Sequence, residues 1–240
     1  MYKRIVLKLS GETLAPEKIP ADKSASLTFD AERVDRAAAA IVRLHDLGVQ
    51  VGVVMGGGNI WRGRFSDEMN PVNADQMGML ATIINALAVQ DAIVRLGRKA
   101  TVLTAQEMTR FARLYTRDTA LGLMEAGEIV LLSGGSGNPF FTTDTAAALR
   151  AAELNADAVF KGTTVEGVFD SDPRKNPNAK LIKDITYQEA IEKGLRVMDL
   201  TAFMLCMEQK IPEIRVFAMD DLDNILRVAA GEKLGTVVHG

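Results

Sequence analysis

Short β-branched runs alternate with amphipathic segments along most of this 240-residue chain, and no other feature restricts its fold as much. The run Arg4 to Leu9, carrying Ile5, Val6 and Leu7, stops at Ser10-Gly11 and reads as a buried strand entering a turn. Apolar residues then recur at Val34, Ala37, Ala38, Ile41 and Leu44, with Asp30 placed as N-cap and Gly48 as terminator of a helix. A second strand, Val49 to Met55, leads into Gly56-Gly57-Gly58-Asn59 and a long helical pattern through Met77, Leu80, Ala81, Ile84, Leu87 and Ala88. Further strands are expected at Ala100 to Thr104, Glu128 to Leu132 and Asp157 to Lys161, with a helix from about Thr143 to Leu154 before the last. Parallel neighbours need long crossovers, and these helices supply them, so the pattern predicts an α/β fold with a mostly parallel central sheet sandwiched by helices.

Between Thr163 and Asn178 the composition shifts toward turn formers, predicting a short hairpin and an exposed loop that divides the chain into two halves near residue 160 of one 1–240 unit. Beyond it, Thr186 and Glu189 form a capping-box pair, followed by helix Thr201 to Gln209, strand Ile214 to Phe217, helix Asp221 to Ala230 and strand Thr236 to His239. With 48% hydrophobic and 25% charged residues and a net charge of −3, the chain carries no bias toward nucleic acid or membrane. It shows no signal-peptide pattern and no apolar run of the ~18 residues that a span needs, which predicts a cytoplasmic protein. The lone Cys206 excludes an internal disulfide and a thiolate metal cluster, fits a reducing compartment, and reads as packing within Phe-Met-Leu-Cys-Met. His45 and His239 are assigned no catalytic part, and Trp61 is expected to pack or shape an interface.

Small ligands bind beyond the carboxyl ends of parallel strands, so the loops starting at Ser10, Gly56, Ser133 and Lys161 should share one edge. Lys8-Leu9-Ser10-Gly11 puts a cation where a strand ends and backbone amides open; the bland alternative is a rim lysine. Gly56 to Gly58 suit a phosphate nest, with Arg62 in reach as a bidentate fork, or simply a turn. Neither the P-loop order nor the dinucleotide fingerprint is present. The stretch from Ser133 to Asp144 sets glycines and hydroxyls beside a helix N-terminus, Phe140 and Phe141 as an aromatic wall or as core, and Asn138 to read a ring edge. Asp144 either caps that helix or stands between Lys8 and Lys161, two lysines able to neutralise a transferring phosphoryl group.

Lys-Leu-Ser-Gly-Glu from Lys8, Gly-Gly-Gly-Asn-Ile-Trp-Arg-Gly from Gly56, Gly-Asn-Pro-Phe-Phe-Thr-Thr-Asp from Gly137 and Val-Met-Asp-Leu-Thr-Ala-Phe from Val197 resemble the signatures of bacterial UMP kinases. The resemblance runs from Lys3 to about Val238. Acetylglutamate, aspartate and carbamate kinases of the amino-acid-kinase superfamily share the general plan without the third segment. The resemblance implies the amino-acid-kinase (carbamate-kinase-like) fold, a UMP-binding half at about 1–160 and an ATP-binding half at about 161–240. It implies that Lys8, Leu9, Ser10 and Gly11 wrap the ATP phosphates, and that Gly58 and Arg62 sit where the two phosphate chains meet. Thr163, Phe169 and Asp172 would flank adenosine. Gly57 would face UMP, and Asp75, read as opening the long helix, would take the ribose hydroxyls. Ser136, Gly137, Asn138, Pro139, Phe140, Phe141, Thr142 and Thr143 would enclose uracil and the acceptor phosphate. Ser136 stands where many relatives have threonine, and Phe169 where some have tyrosine.

The implied chemistry is in-line phosphoryl transfer from ATP to UMP without a covalent intermediate. Lys8, Arg62 and Lys161 would stabilise charge, Asp144 would orient the cations, and Asp199 is either a second catalytic carboxylate or a helix cap. Mg²⁺ would arrive with ATP, held mainly by its phosphates. A homohexamer using the Met- and Ala-rich helix from Asp75 to Leu96, GTP activation and UTP inhibition are further implications. The segment Pro16 to Leu27 departs from the usual glycine-containing loop, which bears on that regulation. Alternatives are an acidic amino-acid or carbamate kinase, or a nucleotide sensor without turnover.

Overall fold

The computed structural model of the chain describes residues 2–16, 28–61, 69–173, 175–195 and 197–240. Arg62 and the segment 17–27 therefore lie outside the described residues. β1 (Arg4–Leu9) runs into a 3₁₀ turn at Gly11–Leu14, and α1 (Ala31–Asp46) crosses over to β2 (Gln50–Met55). α2 (Pro71–Arg95) precedes β3 (Ala100–Thr104), β4 (Arg113–Leu114), α3 (Arg117–Glu125) and β5 (Ile129–Ser133). Next come α4 (Thr143–Glu153), β6 (Ala158–Thr163), β7 (Val168–Phe169), β8 (Leu181–Ile182), β9 (Asp184–Thr186) and α5 (Tyr187–Glu192). The chain closes with α6 (Leu200–Glu208), β10 (Glu213–Ala218), α7 (Asn224–Ala229) and β11 (Thr236–His239).

One nine-stranded sheet passes through both halves in the order β4-β3-β5-β2-β1-β6-β10-β11-β9, and β7 and β8 form the separate antiparallel hairpin. All neighbours in the large sheet are parallel except β10 and β11. β1 lies between β2 and β6, and its register sets Lys8 directly opposite Lys161. Alternation along β1 divides its side chains between two cores. Ile5, Leu7 and Leu9 pack under α1, α2 and α7, whereas Val6 joins the cluster under α3, α4, α5 and α6. Lys8 shares the parity of Val6, so it leaves the sheet on the α4 side.

Local signals explain the helix boundaries. Asp30 caps α1 by accepting from the Arg33 amide, and Gly48 follows its end with φ +84°. Thr186 and Glu189 form the expected capping box of α5. The long helix starts earlier than the sequence reading placed it: Asn70 accepts from the Val72 amide, Pro71 takes the first turn, and Asp75 falls in the second turn instead of opening the helix. α2 is long and apolar enough to cross a membrane by length and composition, yet Ala81, Ala86, Val89 and Ile93 are packed on the sheet and 44% of the apolar window is buried. Cys206 is fully buried in the α6 core, which pushes its thiol up to about 12.

Candidate active site

The carboxyl ends of β5, β2, β1 and β6, four adjacent parallel strands, deliver Ser133, Gly56, Ser10 and the Lys161 region to one edge. The turns there meet closely. The Gly56 amide donates to the Leu9 carbonyl at 2.8 Å, and a Cβ on Gly57 would come 2.9 Å from both the Ala81 Cβ and the Gly78 carbonyl of α2. Leu9 is itself wholly buried, so only its backbone faces the loop chemistry.

At the centre of the edge stands Asp144, in the first turn of α4. Its Oδ2 accepts a hydrogen bond from Lys161 Nζ, and its Oδ1 lies 3.2 Å from Lys8 Nζ, at ion-pair distance but off the hydrogen-bond axis. The three side chains are 8 to 14% exposed. Lys8 is thus no rim residue. Burial works against the Asp144 charge, but Lys8 and then Lys161 overcome it and hold the carboxyl below the usual carboxylate range. Burial likewise pushes Lys161 down to about 8, with Asp144 opposing the shift and Lys8 adding to it.

Asp144 does not cap α4. The cap is Thr142, whose Oγ1 accepts from the amides of Asp144 and Thr145 at 3.0 and 3.4 Å and donates to Asp199. Thr145 Oγ1 lies within 2.9 Å of both Asp199 oxygens, and Asp199 accepts from the Ala202 amide at 2.7 Å as the N-cap of α6. The starts of α4 and α6 are therefore tied together, and the positive end of α4 points toward the lysines' partner.

Three clefts open along this edge. The first, about 580 Å³, is lined by Gly57, Gly58, Asp75, Ser136, Phe140, Phe141, Thr142 and Thr143. The second, about 680 Å³, contains Lys8, Asp144 and Asp199 and shares Thr142 and Thr143 with the first. The third, about 500 Å³, is lined by Thr163, Phe169 and Asp172 and shares Gly194, Leu195 and Val197 with the second. One continuous groove results. Lys161, bonded to Asp144, is not part of the groove lining, and Gly137, Asn138 and Pro139 do not line the first cleft but lie in the loop between its lining residues Ser136 and Phe140. That loop is bent by positive φ at Gly134, Gly135, Gly137 and Phe140. Asp75 Oδ2 accepts the Phe140 amide at 2.7 Å, and Gln106 donates to the Gly137 carbonyl at 2.6 Å.

Several groove residues were given no part in the groove by the sequence reading. Trp61, expected to pack or shape an interface, lines the first cleft while its Nε1 donates to the Ala74 carbonyl at 2.9 Å. Thr82, buried on α2, accepts the Gly134 amide at 2.8 Å. Lys193, Gly194 and Leu195, which belong to no motif, line the third cleft together with Val197, the first residue of the fourth signature segment. Only the 3.6 spacing from Asp75 through Met79 to Thr82 could have marked the α2 face.

The amino acid kinase family profile matches residues 3–217. A uridylate kinase of Bacteroides thetaiotaomicron is 50% identical over 99% of this chain and 98% of its own length, and one of Phocaeicola vulgatus is 48% identical over the same shares. Among solved structures, a UMP kinase of Bacillus anthracis superposes with TM-score 0.92 at 35% identity, covering 99% of this chain and 96% of the other. A UMP kinase of Ureaplasma parvum gives 0.90 at 35% identity over the full length of both. Fold, groove and whole-length likeness agree: the chain belongs to the amino acid kinase family, within its uridylate kinase group.

Proposed function

We propose that the chain transfers the γ-phosphoryl group of ATP to UMP, giving ADP and UDP. The observation that carries this reading is the paired cation centre, Lys8 and Lys161 around Asp144, placed midway along a groove with a nucleotide-sized cleft at each end. The acceptor phosphate is already an anionic nucleophile, so the work is alignment and charge neutralisation. Lys8, exposed to the groove, meets the transferring group. Lys161 supplies charge from beneath, and Asp144 keeps the two ammonium groups apart and oriented. Asp199 fixes the start of α4 through Thr142 and Thr145, and Arg62, which lies outside the described residues, is assigned to the cation set on the resemblance alone.

The cleft bearing Gly57, Asp75, Ser136 and Phe140 to Thr143 comes from the first 160 residues and is assigned to UMP, with Gly137, Asn138 and Pro139 at its rim. The cleft bearing Thr163, Phe169 and Asp172 comes from the second part and is assigned to adenosine, with the backbone of Leu9, Ser10, Gly11 and Gly58 turned toward the phosphates. Mg²⁺ enters as part of the nucleotide. Asp144 is committed to two lysines and Asp199 to two threonines and a helix cap, and no cluster of three or more His, Cys, Asp or Glu gathers among the described residues. Phosphate oxygens are therefore the natural main ligands of the ion. Met77, Leu80 and Ile84 stand exposed on the outer face of α2 and support self-association into the homohexamer that the resemblance implies.

A coupled assay of ADP release across UMP, CMP, acidic amino acids and carbamate tests the proposal. UMP-dependent ADP is the expected result; release that ignores UMP would overturn it.

A further inference from the structure

Asn59, the residue that follows the three glycines, has no place in the groove, and its partner Asn85 lies wholly buried on α2. The two amides face each other. Asn85 Nδ2 donates to Asn59 Oδ1 at 2.8 Å and to the Gly56 carbonyl at 2.6 Å, while Asn59 Nδ2 returns a bond to Asn85 Oδ1 at 3.1 Å and reaches the Thr28 carbonyl at 2.9 Å. Both outer partners are carbonyls, so each amide nitrogen must point outward and neither side chain can be reversed. The pair also closes on the first loop: a Cβ on Gly11 would lie 2.2 Å from Asn59 Oδ1, 2.8 Å from the Gly56 carbonyl and 2.9 Å from Asn85 Nδ2.

We infer that Asn85, acting through Gly56 and Asn59, is a positioning residue for phosphoryl transfer: its amide locks the turn after β2 against the turn after β1. This inference rests on the reading of the groove given above. The reason is geometric. Ser10 and Gly11, which directly follow the strand bearing Lys8, form one of these turns and Gly57 and Gly58 belong to the other, so the mutual placement of the two sets of backbone amides depends on the contact between turns. A displacement of about 1 Å at such a junction lowers turnover by as much as about a hundredfold. The contact to the transferring group tightens in the transition state, so the loss should fall on kcat more than on KM.

The test compares Asn85→Ala and Asn85→Asp with Gln90→Ala. Gln90 lies further along the same helix and also donates from a side-chain amide to a backbone carbonyl, that of Ala100 at 2.8 Å, away from the groove. Asp keeps the shape of Asn but loses both donors. Expected are a tenfold to hundredfold fall in kcat for both Asn85 variants, with KM for UMP and ATP within about threefold of wild type, and an unchanged kcat for Gln90→Ala. Coincident melting shifts in the Asn85 and Gln90 variants with normal kcat in both would overturn the inference and leave Asn85 a purely structural residue. Retained kcat in Asn85→Asp would overturn it as well. If Asn85→Ala fails to fold, Asn85→Ser and Asn59→Ser are judged by the same kcat criterion. Wild-type turnover of UMP tests the function itself, whereas the ratio of variant to wild type tests this residue, so the two failures are distinguishable.

Discussion

The Lys161 ammonium donates to Asp144 Oδ2 from a position where only 8% of the lysine side chain meets solvent. Burial lowers its pKa from 10.5 to about 8. Below that value the folded protein keeps the proton, while the unfolded chain keeps it until near 10.5. In the window between, the unfolded state binds more protons. This group's contribution to stability therefore rises with pH there, as the site loses positive charge. We predict that kcat/KM falls above about pH 8 while the group's stability contribution moves the opposite way. Lys161→Arg should abolish that limb whatever its absolute rate, because guanidinium stays charged. Superimposable pH profiles for the two proteins would remove Lys161 from the mechanism.

Asp144→Asn leaves Lys8 and Lys161 without their shared counter-charge. Breaking a buried pair from one side costs about 3–5 kcal/mol, so the variant should melt well below wild type at pH 7. Nucleotide phosphates can replace the missing negative charge. The rise in melting temperature on adding ATP should therefore be larger in Asp144→Asn than in wild type, and equal rises would contradict the arrangement.

Lys8→Ala should lower kcat by about 10²-fold or more, since a groove-facing cation is lost from the transition state. The same change removes a positive neighbour that depresses Lys161. The basic limb of the variant's pH profile should accordingly move upward. Near-normal turnover, or an unmoved limb, would separate Lys8 from the transferring group.

Asp75→Ala frees the Phe140 amide, which it now holds at 2.7 Å while Phe140 sits at φ +72°. The loop that roofs the first cleft loses its anchor, and KM for UMP should rise about tenfold with KM for ATP unchanged. Phe140→Gly offers a complement: relief of the left-handed backbone should stabilise the fold by up to about 1 kcal/mol, while KM for UMP rises through loss of the ring. Steady-state kinetics with each nucleotide varied in turn, together with denaturant titration, would check both.

Much of this architecture was legible because its signals are local. Ile5, Val6 and Leu7 announce a buried strand, and Asp30, Gly48, Thr186 and Glu189 mark helix ends by their own hydrogen-bonding needs. The strand order was not legible, since the 3.6 and 2.0 periodicities carry no information on which strands become neighbours. β4 was missed because it has only two residues, Arg113 and Leu114, both exposed. α3 went unseen for a related reason, as Ala120 and Met124 are its only buried residues. The start of α2 was placed too late because Asp75 was read as opening the helix, whereas Asn70 caps it and Pro71 takes its first turn. At and beneath the groove, Lys8, Asp144 and Lys161 were readable from charge at strand and helix ends. Thr82, Asn85, Lys193, Gly194 and Leu195 serve through tertiary placement, which leaves no motif.

Lys8 and Lys161 are partners across one rung of a parallel ladder. The gap between the two cations is thus inherited from the repeat distance of the sheet, about 4.8 Å between backbones, and owes nothing to the lengths of the surrounding loops. Under the proposed assignment of the clefts, substitutions in either of them retune which base is held while the lysine pair keeps its spacing, so acceptor preference and phosphoryl chemistry are free to diverge separately. Deleting a single residue within β1 ahead of Lys8 would do the reverse: the residues assigned to the two bases would be untouched, while a one-residue register shift turned the first cation to the far face of the sheet.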